Sequence, residues 1–248
     1  MACPNDTPAL EGGSNVNLTA VGIAMFFPTV LTLMYFVLLA DFPSGVQQAV
    51  YAIGKCVQFA FPLAWVYFFL RTKPRWTWPT PNGVWMGLAF GILVLLAMFG
   101  LYFGWLSPAG HLQILEEKAL EKVHDLGIDS TWKYAATGVF YSLVHSLLEE
   151  YYWRWFVFGQ LRKRLSLTTS VVLSSLGFMA HHVILLGTFF GWDSPLGYIF
   201  SLAVAIGGVA WALIYEYSRS LFGPWLSHLV VDAAIFLVGY HLVSGGLG

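Results

Sequence analysis

The chain has 248 residues, of which 58% are hydrophobic, 17% aromatic and 10% charged, and its mean hydropathy is +0.69. Soluble domains carry about 25% charged residues, so this composition excludes a soluble globular protein, and a net charge of −1 leaves no footprint for nucleic acid. Two cysteines, Cys3 and Cys56, cannot build a disulfide framework, and the polar N-terminal tail lacks the basic start of a secretory signal.

In chain order, apolar runs long enough to cross about 30 Å of hydrocarbon fall near 18–40, 48–70, 83–106, 133–161, 168–187, 197–217 and 222–243. All read as helices, because isolated strands would leave backbone groups unpaired in lipid. The expected fold is an all-α, polytopic transmembrane bundle of about seven spans, within a range of six to eight. No repeat and no long linker divides it, so residues 1–248 read as one membrane-embedded domain.

Between spans three and four, "HLQILEEKALEKVHDLGI" sets Leu112, Leu115, Val123 and Leu126 at helical spacing among charges. The segment near 111–127 reads either as an amphipathic helix on the membrane surface or as a solvated connector with its apolar edge on the bundle. Trp76, Trp78, Trp105 and Trp132 near the span ends suit interfacial belts.

The basic residues set the orientation. Arg71, Lys73 and Arg75 follow span two, Arg162, Lys163 and Arg164 follow span four, and Arg219 follows span six. An even number of spans separates these loops, so all lie on one side, which the positive-inside rule makes cytoplasmic. The N-terminus is then inside and the C-terminus outside, in what reads as a prokaryotic cytoplasmic membrane.

Ionisable residues inside spans are costly and therefore candidates for function. Span four holds His145, Glu149, Glu150 and Arg154, span five holds His181 and His182, and span seven holds His228 and Asp232. Glu150 and Arg154 are four apart, share a helix face and can pair. Glu149 points about 100° away from Glu150, with His145 and Trp153 as its own neighbours one turn distant. His228 and Asp232 also share a face. Glu149 lies 13 residues from Arg162, about 20 Å along a helix, and His182 lies at similar depth in span five. His145 and His181 read as packed histidines, and only one of the pair His181 and His182 can face the site. Lys55 reads as snorkelling or internally paired.

Three of these patterns resemble a known family. "EEYYWR" fits EExxxR, Phe178 to His182 fits FxxxH, and His228 to Asp232 fits HxxxN or HxxxD. In this order on successive spans they resemble the CPBP family, intramembrane proteases related to the CAAX prenyl endopeptidase that include bacteriocin-processing and Abi immunity proteins. The resemblance covers about 133–243, a motif-bearing catalytic core, and leaves the first three spans without a counterpart.

What the resemblance implies is hydrolysis of a peptide bond by a glutamate-activated water, with no cofactor and no metal. Glu149 would be the general base and His182 would help to hold the water. His228 and Asp232 would stabilise the oxyanion, and Glu150 and Arg154 would keep the helix in shape. Many family members have asparagine where this chain has Asp232, and a carboxylate there repels an oxyanion unless protonated. Asp232 can instead orient His228. The implied partners are a membrane-anchored protein or peptide substrate and the lipid bilayer, with no nucleic acid. Two alternatives stand beside this reading: a zinc-type intramembrane metalloprotease using the same Glu, His, His and Asp set, and a non-catalytic membrane scaffold or immunity protein of the same fold.

Overall fold

The computed structural model describes residues 18–73 and 77–247, so Cys3, Arg75 and Trp76 lie outside the described residues. Every regular element among them is helical. Numbered in chain order, the helices are α1 (Leu18–Leu38), α2 (Ser44–Phe69), α3 (Pro81–Leu106), α4 (Gln113–Asp125), α5 (131–161), α6 (Leu167–Phe190), α7 (Pro195–Ser218) and α8 (Phe222–Val243). Six of them, α1 to α3 and α6 to α8, are long and apolar enough to cross a membrane. The expected fourth span, α5, is not among the six and carries Glu149, Glu150 and Arg154.

Local chemistry fixes the starts and stops. Thr80 accepts the amide of Gly83 ahead of Pro81 at the first helical position of α3, and Ser166 accepts the amide of Thr169 at the start of α6, both ordinary N-caps. Arg219, with φ of 54°, turns left-handed at the end of α7.

Helices α3 and α8 approach through small residues. A Cβ at Gly87 would fall on the carbonyl of Gly223, and one at Gly223 would fall on the carbonyl of Gly83. Only glycine allows two backbones so near, the usual device for helix contact in lipid. This contact ties α3 to the segment that carries the motifs and fixes α8 just ahead of His228.

Helix α5 is not uniform. α-Helical turns at Thr131–Phe140, Ser146–Glu150 and Gly159–Leu161 alternate with wide π turns at Tyr141–His145 and Tyr151–Phe158. The glutamates therefore sit on a short α-helical stretch between two widened ones, a form of helix that recurs at functional sites. Beyond them, Tyr152, Trp153, Phe156, Val157, Phe178, Trp211 and Ile214 form the buried core, and Tyr152 donates to the carbonyl of Ala24 at 2.7 Å, fastening α5 to α1.

The two ends of the bundle differ. At one end Arg162 pairs with Glu216 at 2.9 Å, Arg219 pairs with the same carboxylate at 3.3 Å, and Thr77 donates to the carbonyl of Arg219. The loops after α2, α5 and α7 thus meet there. At the other end α4 lies across the helix termini. Lys122 sits over the Tyr35 ring at 4.3 Å, and Gln48 donates to the carbonyl of Asp125 at 2.9 Å. Val123 packs with Tyr134 and Val243, while Leu112 and Leu115 join Tyr102, Phe190, Leu196, Phe200 and Val238. Of the two readings of this segment, the apolar edge packed on the bundle describes Leu112, Leu115 and Val123, whereas Leu126 is 45% exposed.

Candidate active site

Glu149 is buried, and its carboxylate is ringed by imidazoles. His145 Nε2 lies 3.9 Å and His181 Nε2 3.7 Å from Oε1, and His228 Nε2 lies 3.8 Å from Oε2. The three rings come from α5, α6 and α8. All three separations exceed a direct hydrogen bond and suit a bridging water.

Glu150, fully buried one residue on, is engaged elsewhere. Arg154 Nε lies 3.1 Å from its Oε2, and His228 Nδ1–H donates to its Oε1 at 2.8 Å. The guanidinium is also flanked by the Phe178 ring at 4.8 Å and the Trp211 ring at 5.2 Å. Adjacent carboxylates thus have separate surroundings: one is tied to a cation and the other faces imidazoles.

His228 is the most constrained ring of the group. Its Nδ1 is held by Glu150, its face stacks on Trp211 at 4.2 Å and 14°, and Trp211 Nε1–H donates to Ser227 Oγ at 3.0 Å. Its free Nε2 faces Glu149 and, at 3.6 Å, Asp232 Oδ1. Asp232 is therefore placed beside His228 as its neighbour one turn on.

The histidine pair of α6 departs from the sequence expectation. His181, read there as a packed residue, is the one within 4 Å of Glu149. His182, expected at the water, turns Nδ1 to the carbonyl of Phe178 at 2.9 Å and packs on that ring at 4.8 Å. The cause is tertiary: His181 stacks nearly parallel on Trp153, at 7° and 5.9 Å, and this sets the rotation of α6 against α5. His145, also read as packed, faces Glu149 as well. Its signal was present in the spacing, since it stands one turn before Glu149. Trp153 and Trp211, which orient the rings, carry no sequence signal that separates them from ordinary core.

Lys55 on α2 lies over the rings of Tyr51 and Phe59, at 5.5 and 5.4 Å, and Phe59 in turn meets His145 edge-on at 6.0 Å. Among the described residues, no group of three or more His, Cys, Asp or Glu has an arrangement suited to a metal ion.

Residues 131–234 match the family model described as Rce1-like, type II CAAX prenyl endopeptidase Rce1-like. Neither a curated protein nor a solved structure matches the chain.

Proposed function

From the membership of residues 131–234 in the Rce1-like family, which implies a protease of membrane-associated substrates, we propose that the chain is an intramembrane endopeptidase that works through a glutamate-activated water. The reading rests on one observation: a buried carboxylate, free of its neighbour's cation, with imidazole nitrogens from three helices around it. In the proposed sequence Glu149 takes a proton from water as the oxygen attacks the peptide carbonyl carbon. The carbonyl π pair moves onto oxygen, and His228, protonated on both ring nitrogens as an imidazolium with Glu150 on Nδ1–H, donates Nε2–H to that oxyanion. When the C–N bond breaks, the nitrogen keeps its electron pair and receives the proton from Glu149. Asp232 orients His228, a role in which its negative charge is no obstacle, and Glu150 with Arg154 holds the ring's other nitrogen. α6 supplies the remaining imidazole.

We take residues 1–248 as one domain with its core at 133–243, since α3 is joined to α8 through Gly87 and Gly223. The basic loops that share one end of the bundle are assigned to the cytoplasm, with the N-terminus inside and the C-terminus outside.

The test compares the termini of membrane peptides in cells producing the wild-type chain and the Glu149→Gln variant. New termini should appear with the wild type and vanish with the variant at equal protein level. Identical termini in the two would leave a scaffold rather than a protease. A purified protein that carries zinc and loses its activity to a chelator would replace the water scheme with a metal-assisted one.

A further inference from the structure

Resting on the protease reading, we infer that the attacking water is held on the Oε1 side of Glu149 by His145 and His181 together. His181 is then the working imidazole of α6, and His145, which lies outside all three motifs, is a second catalytic residue.

The two oxygens of Glu149 face different company. Oε1 looks toward His145 Nε2 and His181 Nε2, and Oε2 toward His228 Nε2. His228 has its Nδ1 committed to Glu150, and its Nε2 is the donor kept for the oxyanion. The Oε1 side has no such commitment. His145 Nε2 is buried and has no hydrogen-bond partner in the protein, although buried nitrogens nearly always have one. A water about 2.8 Å from Glu149 Oε1 and from each nitrogen would span these separations of 3.7 and 3.9 Å with angles of about 83° and 88° at its oxygen, narrower than tetrahedral.

Both rings are held in the orientation this requires. His181 is stacked on Trp153 and meets the Phe178 edge at 5.5 Å. His145 is wedged between Tyr141, at 4.9 Å, and Phe59. His182 spends its Nδ1–H on the carbonyl of Phe178 in its own helix.

The water's four valences are then all used. One O–H donates to Glu149 Oε1 and is the proton transferred. The other donates to the lone pair on His145 Nε2. One lone pair of the water accepts His181 Nε2–H, and the remaining pair forms the new C–O bond. Neither imidazole changes its proton count over the cycle. The proton leaves with the amine, and the hydroxyl stays on the new acid.

The experiment uses the full-length protein in liposomes, with a peptide spanning a cleavage site located by the comparison of termini. Single variants are His145→Phe, His181→Phe and His182→Phe, which keep a ring for packing, together with His145→Gln. Melting temperature is recorded for each. We expect kcat to fall at least about 100-fold in His145→Phe and His181→Phe, with KM and melting temperature near wild type. Part of the rate should return in His145→Gln, whose amide oxygen can accept from water. His182→Phe should stay within a few-fold of wild type. Loss of kcat in His182→Phe, with His181→Phe or His145→Phe near wild type, would overturn the inference and leave the protease reading intact. Failure of the protease reading itself shows separately, as cleavage that survives Glu149→Gln or as no Glu149-dependent site.

Discussion

Arg154 is a buried charge inside α5. Its guanidinium is fully buried, bound to Glu150 and flanked by Phe178 and Trp211. Removing one partner of a buried pair leaves the other charge uncompensated, at a cost of about 3–5 kcal/mol. Arg154→Ala should therefore lower stability by about that amount, seen as a large drop in melting temperature in detergent. Arg154→Lys keeps the charge but loses the planar group between two rings, so it should recover only part; full recovery would show that charge alone matters. The pairing was legible in the sequence because it is local, two residues one turn apart on one helix. Glu149 could be told from Glu150 on the same ground. The choice between His181 and His182 could not, because adjacent residues face about 100° apart and the Trp153 stack decides which of them turns inward. The bond from His228 to Glu150 was hidden for the same reason, joining residues that only packing brings together.

Elements were easier to read than rings. Every span falls within a few residues of where the apolar runs place it, because the bilayer dictates length and the backbone must pair within itself. The wide turns of α5 were not legible, since a helix apolar on all sides gives no phase by which to tell 3.6 residues per turn from a wider winding. At this scale the α3–α8 contact makes a sharp comparison. Gly87→Ala sets a methyl group onto the Gly223 carbonyl, and overpacking of this kind costs about 1–3 kcal/mol. Gly100→Ala on the same helix meets nothing within 4 Å and should be neutral or stabilising by up to about 1 kcal/mol. Melting temperatures of the two variants check this, and cleavage should fall only in the first, because displaced α8 carries His228 with it. Equal behaviour would mean that the helices can separate without consequence.

For the molecule as a whole, the proposed orientation has α5 crossing together with the six apolar helices, which would place the two termini on opposite sides and the loops after α2, α5 and α7 on the side of the N-terminus. Lys163→Cys and Gly110→Cys, each in a Cys3→Ser, Cys56→Ser background, should be labelled by an impermeant reagent from opposite faces of sealed vesicles, with position 110 reached from outside in cells. Labelling of both from one face would refute the arrangement. The other end of the bundle has a consequence for the membrane rather than for the substrate. A hydrolytic centre needs water inside the bilayer, and a water-filled path open at both ends would conduct ions. α4 lies across the helix termini at one end, meeting α1 through Lys122 and Tyr35 and α2 through Asp125 and Gln48, with Leu115 and Val123 in the apolar clusters there, which is where a plug against such a path would sit. Liposomes containing the protein should hold a proton gradient as well as empty ones do. Substituting Leu112, Leu115 and Val123 with serine should make them leak, as read by a trapped pH dye. On this view α4 is the part that lets a water-consuming enzyme reside in an energised membrane without discharging it.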